Sequence, residues 1–286
     1  MKEIVVISGK GGTGKTFLTS SLAVIIPDKV ILDCDVDAAN LYLILEHKLI
    51  KEEKFSGSQK PIIDYSKCIK CGLCRKLCRF NAIDETITIK DELCEGCGVC
   101  ALACSQNAIK MENEINGRIY SGESRYGEFI YARLGIGAEN SGKLVTIVRE
   151  IGRHLAFEKN RGWVLTDGPP GIGCPLIASL TGADFALVVT EPTYSGMSDM
   201  QRVIEVALHF GVRVGIVINK YDLNLKRTEE IQNYSRYRGF LFLGKIPFSR
   251  NVVNAITQSK PYPELYDDEI TEEIKNIWQK ITNVLG

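Results

Sequence analysis

The sequence predicts an α/β protein, a doubly wound and mostly parallel sheet interrupted once by a small cysteine-rich α+β insertion. Three observations carry this. The loop Gly9-Lys10-Gly11-Gly12-Thr13-Gly14-Lys15-Thr16 follows the β-branched run Ile4-Val5-Val6-Ile7 and leads into a helical pattern, which is the strand, loop, helix order of a phosphate-binding loop. In the second half of the chain, buried-strand runs and helices alternate again. Between these parts, eight of the ten cysteines fall into two runs of one spacing, Cys68, Cys71, Cys74, Cys78 and Cys94, Cys97, Cys100, Cys104.

The first strand passes through the glycine loop into a helix over 15–26. A second run, Val30-Ile31-Leu32, ends in Asp33-Cys34-Asp35-Val36-Asp37. The polar stretch 46–60, with Gly57 and Ser58, reads as a linker. Residues 61–110 repeat at a period of 26: Cys68 maps to Cys94, and Asn81-Ala82-Ile83 to Asn107-Ala108-Ile109. Two similar half-units imply a pseudo-twofold module. Apolar and polar residues alternate over 115–134 around a Gly- and Ser-containing turn, which predicts a hairpin returning to the main domain. A helix over 142–157, capped by Ser141, and strands at 162–166, 185–190, 212–218 and 240–245 follow, with helices between. From Asp267 onward Ile270, Ile274, Ile277, Trp278 and Ile281 recur at helical spacing, which reads as a helix docked on the core. Its acidic residues outnumber its basic ones, opposite to what anionic lipid attracts. The expected domains are 1–60, 61–110 and 111–286, the first and last forming one folded body.

At 286 residues and 45% hydrophobic content the chain can build one large core and one small one. Its 35 basic and 35 acidic residues balance, so no overall field draws it to nucleic acid or to a membrane surface. No leader and no apolar run of membrane-spanning length is visible, which predicts a cytoplasmic protein. In that compartment, cysteines at ligand spacing point to metal and not to disulfides.

In a G-x-x-x-x-G-K-[ST] loop the backbone N–H groups turn inward around phosphate oxygens, Lys15 supplies charge to the outer phosphates, and Thr16 offers its hydroxyl to magnesium. Each cysteine run, C-x-x-C-x-x-C-x-x-x-C, has the ligand spacing of a 4Fe-4S cluster, and in such two-cluster modules the fourth cysteine serves the other cluster. The sets are therefore Cys68, Cys71, Cys74 with Cys104, and Cys94, Cys97, Cys100 with Cys78. Zinc is the rival, although zinc pairs usually stand apart. The proline that usually follows the fourth cysteine is replaced by Arg79 and Ser105. Lys67, Lys70, Arg75, Lys76 and Arg79 form a basic group opposed nearby by Asp64. It reads either as a solvated face or as a docking site for an acidic redox partner. Cys34 reads as a small packed residue, Cys174 as a packed cysteine with a metal site at a dimer axis as the minority reading, and Asp33 and Asp37 as ligand-side residues or turn caps.

Lys10-Gly11-Gly12-Thr13-Gly14-Lys15-Thr16, with Asp35 after the second strand and Asp167-Gly168-Pro169-Pro170-Gly171 after a later one, resembles the deviant Walker A ATPases. That group includes the MinD and ParA positioning ATPases, the nitrogenase iron protein and the iron-sulfur carrier ATPases. With its two cysteine runs the chain is similar, over nearly its whole length, to MinD-superfamily ATPases with an inserted ferredoxin-like domain. The resemblance implies ATP and Mg²⁺ as ligands and a homodimer that closes on ATP. It implies that Lys10 reaches the phosphates held by the other subunit, that Asp35 positions the attacking water or the magnesium shell, that Asp167 lies near magnesium and that Gly171 senses the γ-phosphate. Asn219 with Lys220 matches the adenine-reading position, and Pro247 falls either beside that pocket or in a plain turn.

The function expected from these residues together is ATP-gated electron transfer through two 4Fe-4S clusters to a partner protein. The alternative is an iron-sulfur or metallocofactor assembly or carrier ATPase. A positioning ATPase is disfavoured, because redox clusters are superfluous there. No nucleic-acid or membrane partner is expected, and the sequence assigns no role to His47, His154 or His209.

Overall fold

Ile4 and Val6 pack in one hydrophobic core while Val5 and Ile7 pack in another, the period-two signature of a strand covered on both faces. The structure is a computed structural model and describes residues 1–135 and 141–286. In chain order the elements are β1 (Lys2–Ser8), α1 (Lys15–Ile25), β2 (Lys29–Asp33), β3 (His47–Phe55), β4 (Ser58–Ile63), α2 (Leu73–Leu77), α3 (Val99–Leu102), β5 (Ile109–Glu114), β6 (Gly117–Ser124) and β7 (Gly127–Leu134). They continue with α4 (Ser141–Glu158), β8 (Trp163–Pro170), α5 (Cys174–Leu180), β9 (Phe185–Thr190), α6 (Tyr194–His209), β10 (Arg213–Asn219), α7 (Leu225–Arg238), β11 (Leu241–Ile246), α8 (Arg250–Thr257), α9 (Tyr262–Leu265) and α10 (Glu269–Leu285).

The chain divides into two compact units, the first made of 1–53, 118–134 and 141–286. Its sheet runs β11-β10-β9-β1-β8-β2-β7-β6-β3, and the pairs from β11 across to β7 are parallel. β1 lies between β8 and β9, so the winding reverses beside it. That reversal opens a crevice at the carboxyl ends of the strands, where ligands of such sheets bind. One face is covered by α1, α8, α9 and α10, through residues such as Phe17, Leu22, Ala255, Tyr262 and Ile274. The other is covered by α5, α6 and α7, through Leu176, Val203, Ile204 and Ile231. Ile270, Ile274, Ile277 and Ile281 are buried, so the last helix docks on the core. Among the described residues no helix is long and apolar enough to cross a membrane.

Two expectations need correction. The polar stretch 46–60 is not a linker: it forms β3 and β4. β3 is the last strand of the sheet and is exposed along most of its length, so it carries no apolar alternation to reveal it. It is anchored at one end by His47, whose ring meets Tyr42, Phe129 and Tyr131 edge-on at 6.4, 5.4 and 5.2 Å. Ser141 is the first residue of α4 and not the residue before it.

The second unit runs from 54 to 117 and includes Gly135, wider at both ends than the 61–110 marked by the cysteine repeat. β4 and β5 pair antiparallel, from Ser58 opposite Glu114 to Ile63 opposite Ile109. Ile63, Ile83, Ile87, Cys100 and Ile109 form its small core. The repeat is written in the backbone as well: Gly72 and Gly98 precede α2 and α3 at φ 74° and 76°, and Asn81 and Asn107 follow at φ 53° and 50°.

Candidate functional site

The glycine loop stands at the carboxyl end of β1. Gly14 has φ 92°, a conformation that an L side chain rarely adopts, and a Cβ there would fall 2.1 Å from the Asn219 side-chain nitrogen. Asn219 donates instead to the Thr13 carbonyl at 2.8 Å, and Lys220 donates to the Gly12 carbonyl at 3.2 Å. These two residues, expected at the adenine, brace the phosphate loop. Pro247 follows Ile246, which lies opposite Asn219 in the sheet register, so it stands at the same edge. Above Gly11 and Gly12 the space is open. Thr13 is buried, and its Oγ1 is, among the described residues, the buried side-chain polar atom without a hydrogen-bond partner.

Lys15, Thr16, Asp35 and Asp167 meet. The Lys15 ammonium lies 3.0 Å from Asp167 Oδ1 and 3.5 Å from Asp35 Oδ2. Thr16 donates to Asp167 Oδ2 at 2.8 Å and Thr19 to Oδ1 at 2.8 Å. Asp33 lies opposite Asp167 in the register of β2 and β8. It accepts from the backbone N–H of Asp35, Asn40 and Leu41 at 3.1, 3.2 and 3.0 Å, so its work is to cap the turn after β2. Burial alone would lower the Lys15 pKa, but Asp167, Asp35 and Asp33 together raise it. Burial raises Asp35 against the pull of Lys15. Burial and the neighbouring Asp167 push Asp33 up to about 8. Asp167 and Asp35 share the one Lys15 ammonium, and with the Thr16 hydroxyl beside Asp167 they are hard oxygen donors of the kind that suits Mg²⁺. Gly171 (φ 87°) donates its N–H to the Ser8 carbonyl at 3.0 Å, which ties the loop after β8 to the end of β1. Asp37 is exposed.

Lys10 lies apart from this group. It meets Ser195 Oγ at 3.1 Å, Thr193 Oγ1 at 3.5 Å and Glu191 Oε2 at 3.5 Å within its own chain. Glu191 also pairs with Lys220 at 2.5 Å. Sequence reasoning missed Glu191 and Thr19. The signals existed: Glu191 directly follows a buried strand at the ligand edge, and Thr19 lies one helical turn after Lys15.

In the second unit the eight cysteines surround two hollows. One is lined by Cys68, Cys71, Cys74 and Cys104, and the other by Cys78, Cys94, Cys97 and Cys100. Each therefore takes three cysteines of one run and the last of the other. Among the described residues no three Cys, His, Asp or Glu side chains converge on the position of a single metal ion. Burial raises the Cys74 and Cys100 thiols, and neighbouring cysteines add to the effect. Of the remaining cysteines, Cys34 is buried, whereas Cys174 is exposed at the start of α5 and is not the packed residue expected.

A family model described as the CobQ/CobB/MinD/ParA nucleotide binding domain matches residues 4–262. The uncharacterized protein MJ0578 of Methanocaldococcus jannaschii is 36% identical over 284 residues, 98% of this chain and 96% of that one. The septum site-determining protein MinD of Pyrococcus horikoshii, solved in complex with Mg-ADP, superposes with a TM-score of 0.62 at 16% identity, over 100% of this chain and 97% of that one. MinD of Aquifex aeolicus in its complex with MinC gives 0.58 at 17% identity, over 99% and 96%. These superpositions establish a MinD-like fold.

Proposed function

The chain belongs to the CobQ/CobB/MinD/ParA nucleotide-binding family, and from that premise we propose an ATP-hydrolysing homodimer that couples its nucleotide state to electron transfer, through two 4Fe-4S clusters, to a partner protein. The observation that carries the proposal is the grouping of the eight cysteines into two crossed sets of four around two hollows, in a chain that also bears a complete phosphate loop. Each iron of a cubane takes one thiolate, so its ligands ring an open centre, whereas a zinc ion needs them to converge. The donor set therefore fits clusters. When bound, the clusters would supply one-electron storage and transfer, the electron being drawn from a low-potential donor and accepted by the partner's redox centre.

The nucleotide chemistry belongs to the chain's own residues. The loop N–H groups receive the phosphates, the Thr13 hydroxyl gains the partner it lacks, and Lys15 turns its charge from the carboxylates to the outer phosphates. When Mg²⁺ and ATP are bound, Thr16 and Asp167 would hold the metal, and Asp35 would orient the water whose attack on the γ-phosphorus breaks the bond to the bridging oxygen and releases ADP and phosphate. Lys10 acts on the opposite subunit. Its contacts with Glu191 and Ser195 are partly exposed, so leaving them costs about 1 kcal/mol or less, and hydrolysis then depends on dimer closure.

Anaerobically purified protein tests this: iron, cluster reduction and electron transfer from a low-potential donor are followed with and without ATP in wild type, Lys10→Ala and Cys68→Ser. ATP is expected to change the potential or the transfer rate in wild type, the effect vanishing in Lys10→Ala, while Cys68→Ser loses iron. If ATP changes neither quantity, the coupling is wrong. Loss of clusters to an apo-protein acceptor during turnover would favour the assembly reading.

A further inference from the structure

The halves of the second unit share a backbone but not a surface. Along the 26-residue repeat, Lys67, Lys70, Lys76 and Arg79 correspond to Leu93, Gly96, Leu102 and Ser105. Lys70 and Gly96 both adopt the left-handed conformation, at φ 56° and 62°. Glycine is required in the second half, where a Cβ would fall 2.1 Å from the Gln59 carbonyl oxygen. The first half keeps an exposed lysine in the same strained conformation, and strain retained where glycine would relieve it points to a use for the side chain.

Lys70 lines two recesses at once. One is the hollow of Cys68, Cys71, Cys74 and Cys104, and the other is an open groove whose walls include Arg75, Lys76, Lys90, Asp84 and Glu85. The groove's carboxylates are engaged, Glu85 with Arg75 at 2.9 Å and Asp84 with the Thr86 and Thr88 N–H groups at 2.9 Å each. Among the described residues no carboxylate forms an ion pair with Lys70 or Lys76. Ile69, Leu73 and Leu77 are exposed beside them. In the second half Asp91, Glu92 and Glu95 are exposed where the first half has Tyr65, Ser66 and Ile69, and among the described residues the one exposed cation at a groove-equivalent position is Lys110, opposite Asp84 in the repeat.

We propose that this groove is the docking surface for the redox partner, a protein that presents a cluster of carboxylates around an apolar patch, and that it seats the partner at the Cys68, Cys71, Cys74, Cys104 hollow and not at the other. Charge complementarity selects the partner and steers its approach. The inference rests on the cluster reading above and deepens it.

The test uses the full chain, purified anaerobically, with a fluorescently labelled acidic flavodoxin as the probe. Binding is measured by anisotropy at low and moderate salt, with iron content and melting temperature read on the same samples. Lys76→Glu with Lys90→Glu is expected to weaken binding about tenfold in low salt and to flatten its salt dependence. Lys70→Gly also weakens binding, without lowering the melting temperature, because it relieves the backbone. Glu92→Lys with Glu95→Lys leaves binding intact. Failure of the wild type to bind, or binding that survives the reversal at full iron content, overturns the docking surface. So does a groove that takes inorganic pyrophosphate in place of the flavodoxin. Charge-dependent binding by a protein without iron would sustain the surface and sink the cluster reading instead.

Discussion

Replacing Thr13 by valine separates two effects that the nucleotide site combines. Thr13 is 2% exposed and its hydroxyl has no partner, and an unpaired buried hydroxyl costs about 1–3 kcal/mol. Valine puts a methyl group in its place with the same β-branched shape, so Thr13→Val should stabilise the nucleotide-free protein by about 1 kcal/mol, or about 2–4 °C in Tm. If the hydroxyl instead serves the phosphates, its loss removes a hydrogen bond to a charged group worth about 1.5–3 kcal/mol, and nucleotide affinity falls about tenfold to a hundredfold. The substitution thus raises the melting temperature without nucleotide and shrinks the further rise that Mg-ADP produces. Thermal melts with and without Mg-ADP, together with calorimetric affinities, measure both effects, and Thr13→Ser serves as the control that keeps the hydroxyl. A Thr13→Val protein that melts lower, or that binds Mg-ADP as tightly as wild type, refutes the reasoning.

The second prediction concerns Glu3, which is buried and accepts from Arg149 Nε at 2.7 Å, Arg149 Nη2 at 2.8 Å and Arg153 Nε at 2.7 Å. Glu3→Ala strands a buried guanidinium and should cost about 3–5 kcal/mol in chemical denaturation, whereas Glu3→Leu with Arg149→Met should recover most of it. Equal losses in the two proteins would show that the pair is not the cause. The third concerns Lys29, whose pKa burial and the nearby Arg161 lower to about 8. Between about pH 8 and 10.5 the unfolded chain holds a proton that the folded one has lost, so this group's contribution makes stability rise with pH across that window. Lys29→Met should remove that rise, which equilibrium unfolding at pH 8 and pH 10 would detect.

The ligand edge was legible because its signals are local. Asp35 and Asp167 stand within a few residues of a buried apolar run and Lys15 at the end of the glycine loop that follows one, and a parallel sheet brings the carboxyl ends of such runs together whatever lies between them. β8 and β9 begin at Trp163 and Phe185, far along the chain from the loop they serve, yet their apolar runs mark them. Partners set by tertiary contact were not legible. Asn219 stands where expected, but its bond to the Thr13 carbonyl depends on the absence of a side chain at Gly14, which no reading of residues 213–219 reveals. Lys10 and Glu191 lie 181 positions apart by numbering and meet only through the fold. β3 reads as a linker in the sequence because an exposed edge strand has no buried face to impose a pattern, and its charges look like those of a solvated segment.

Those same charges govern how the sheet ends. β3 is the outermost strand in the described sheet order, the kind of edge on which another chain can add a strand. A twofold antiparallel pairing of two β3 strands centred on Lys51 would set that ammonium against its own copy and Lys48 against Lys54 on both sides, and like charges directly opposite repel.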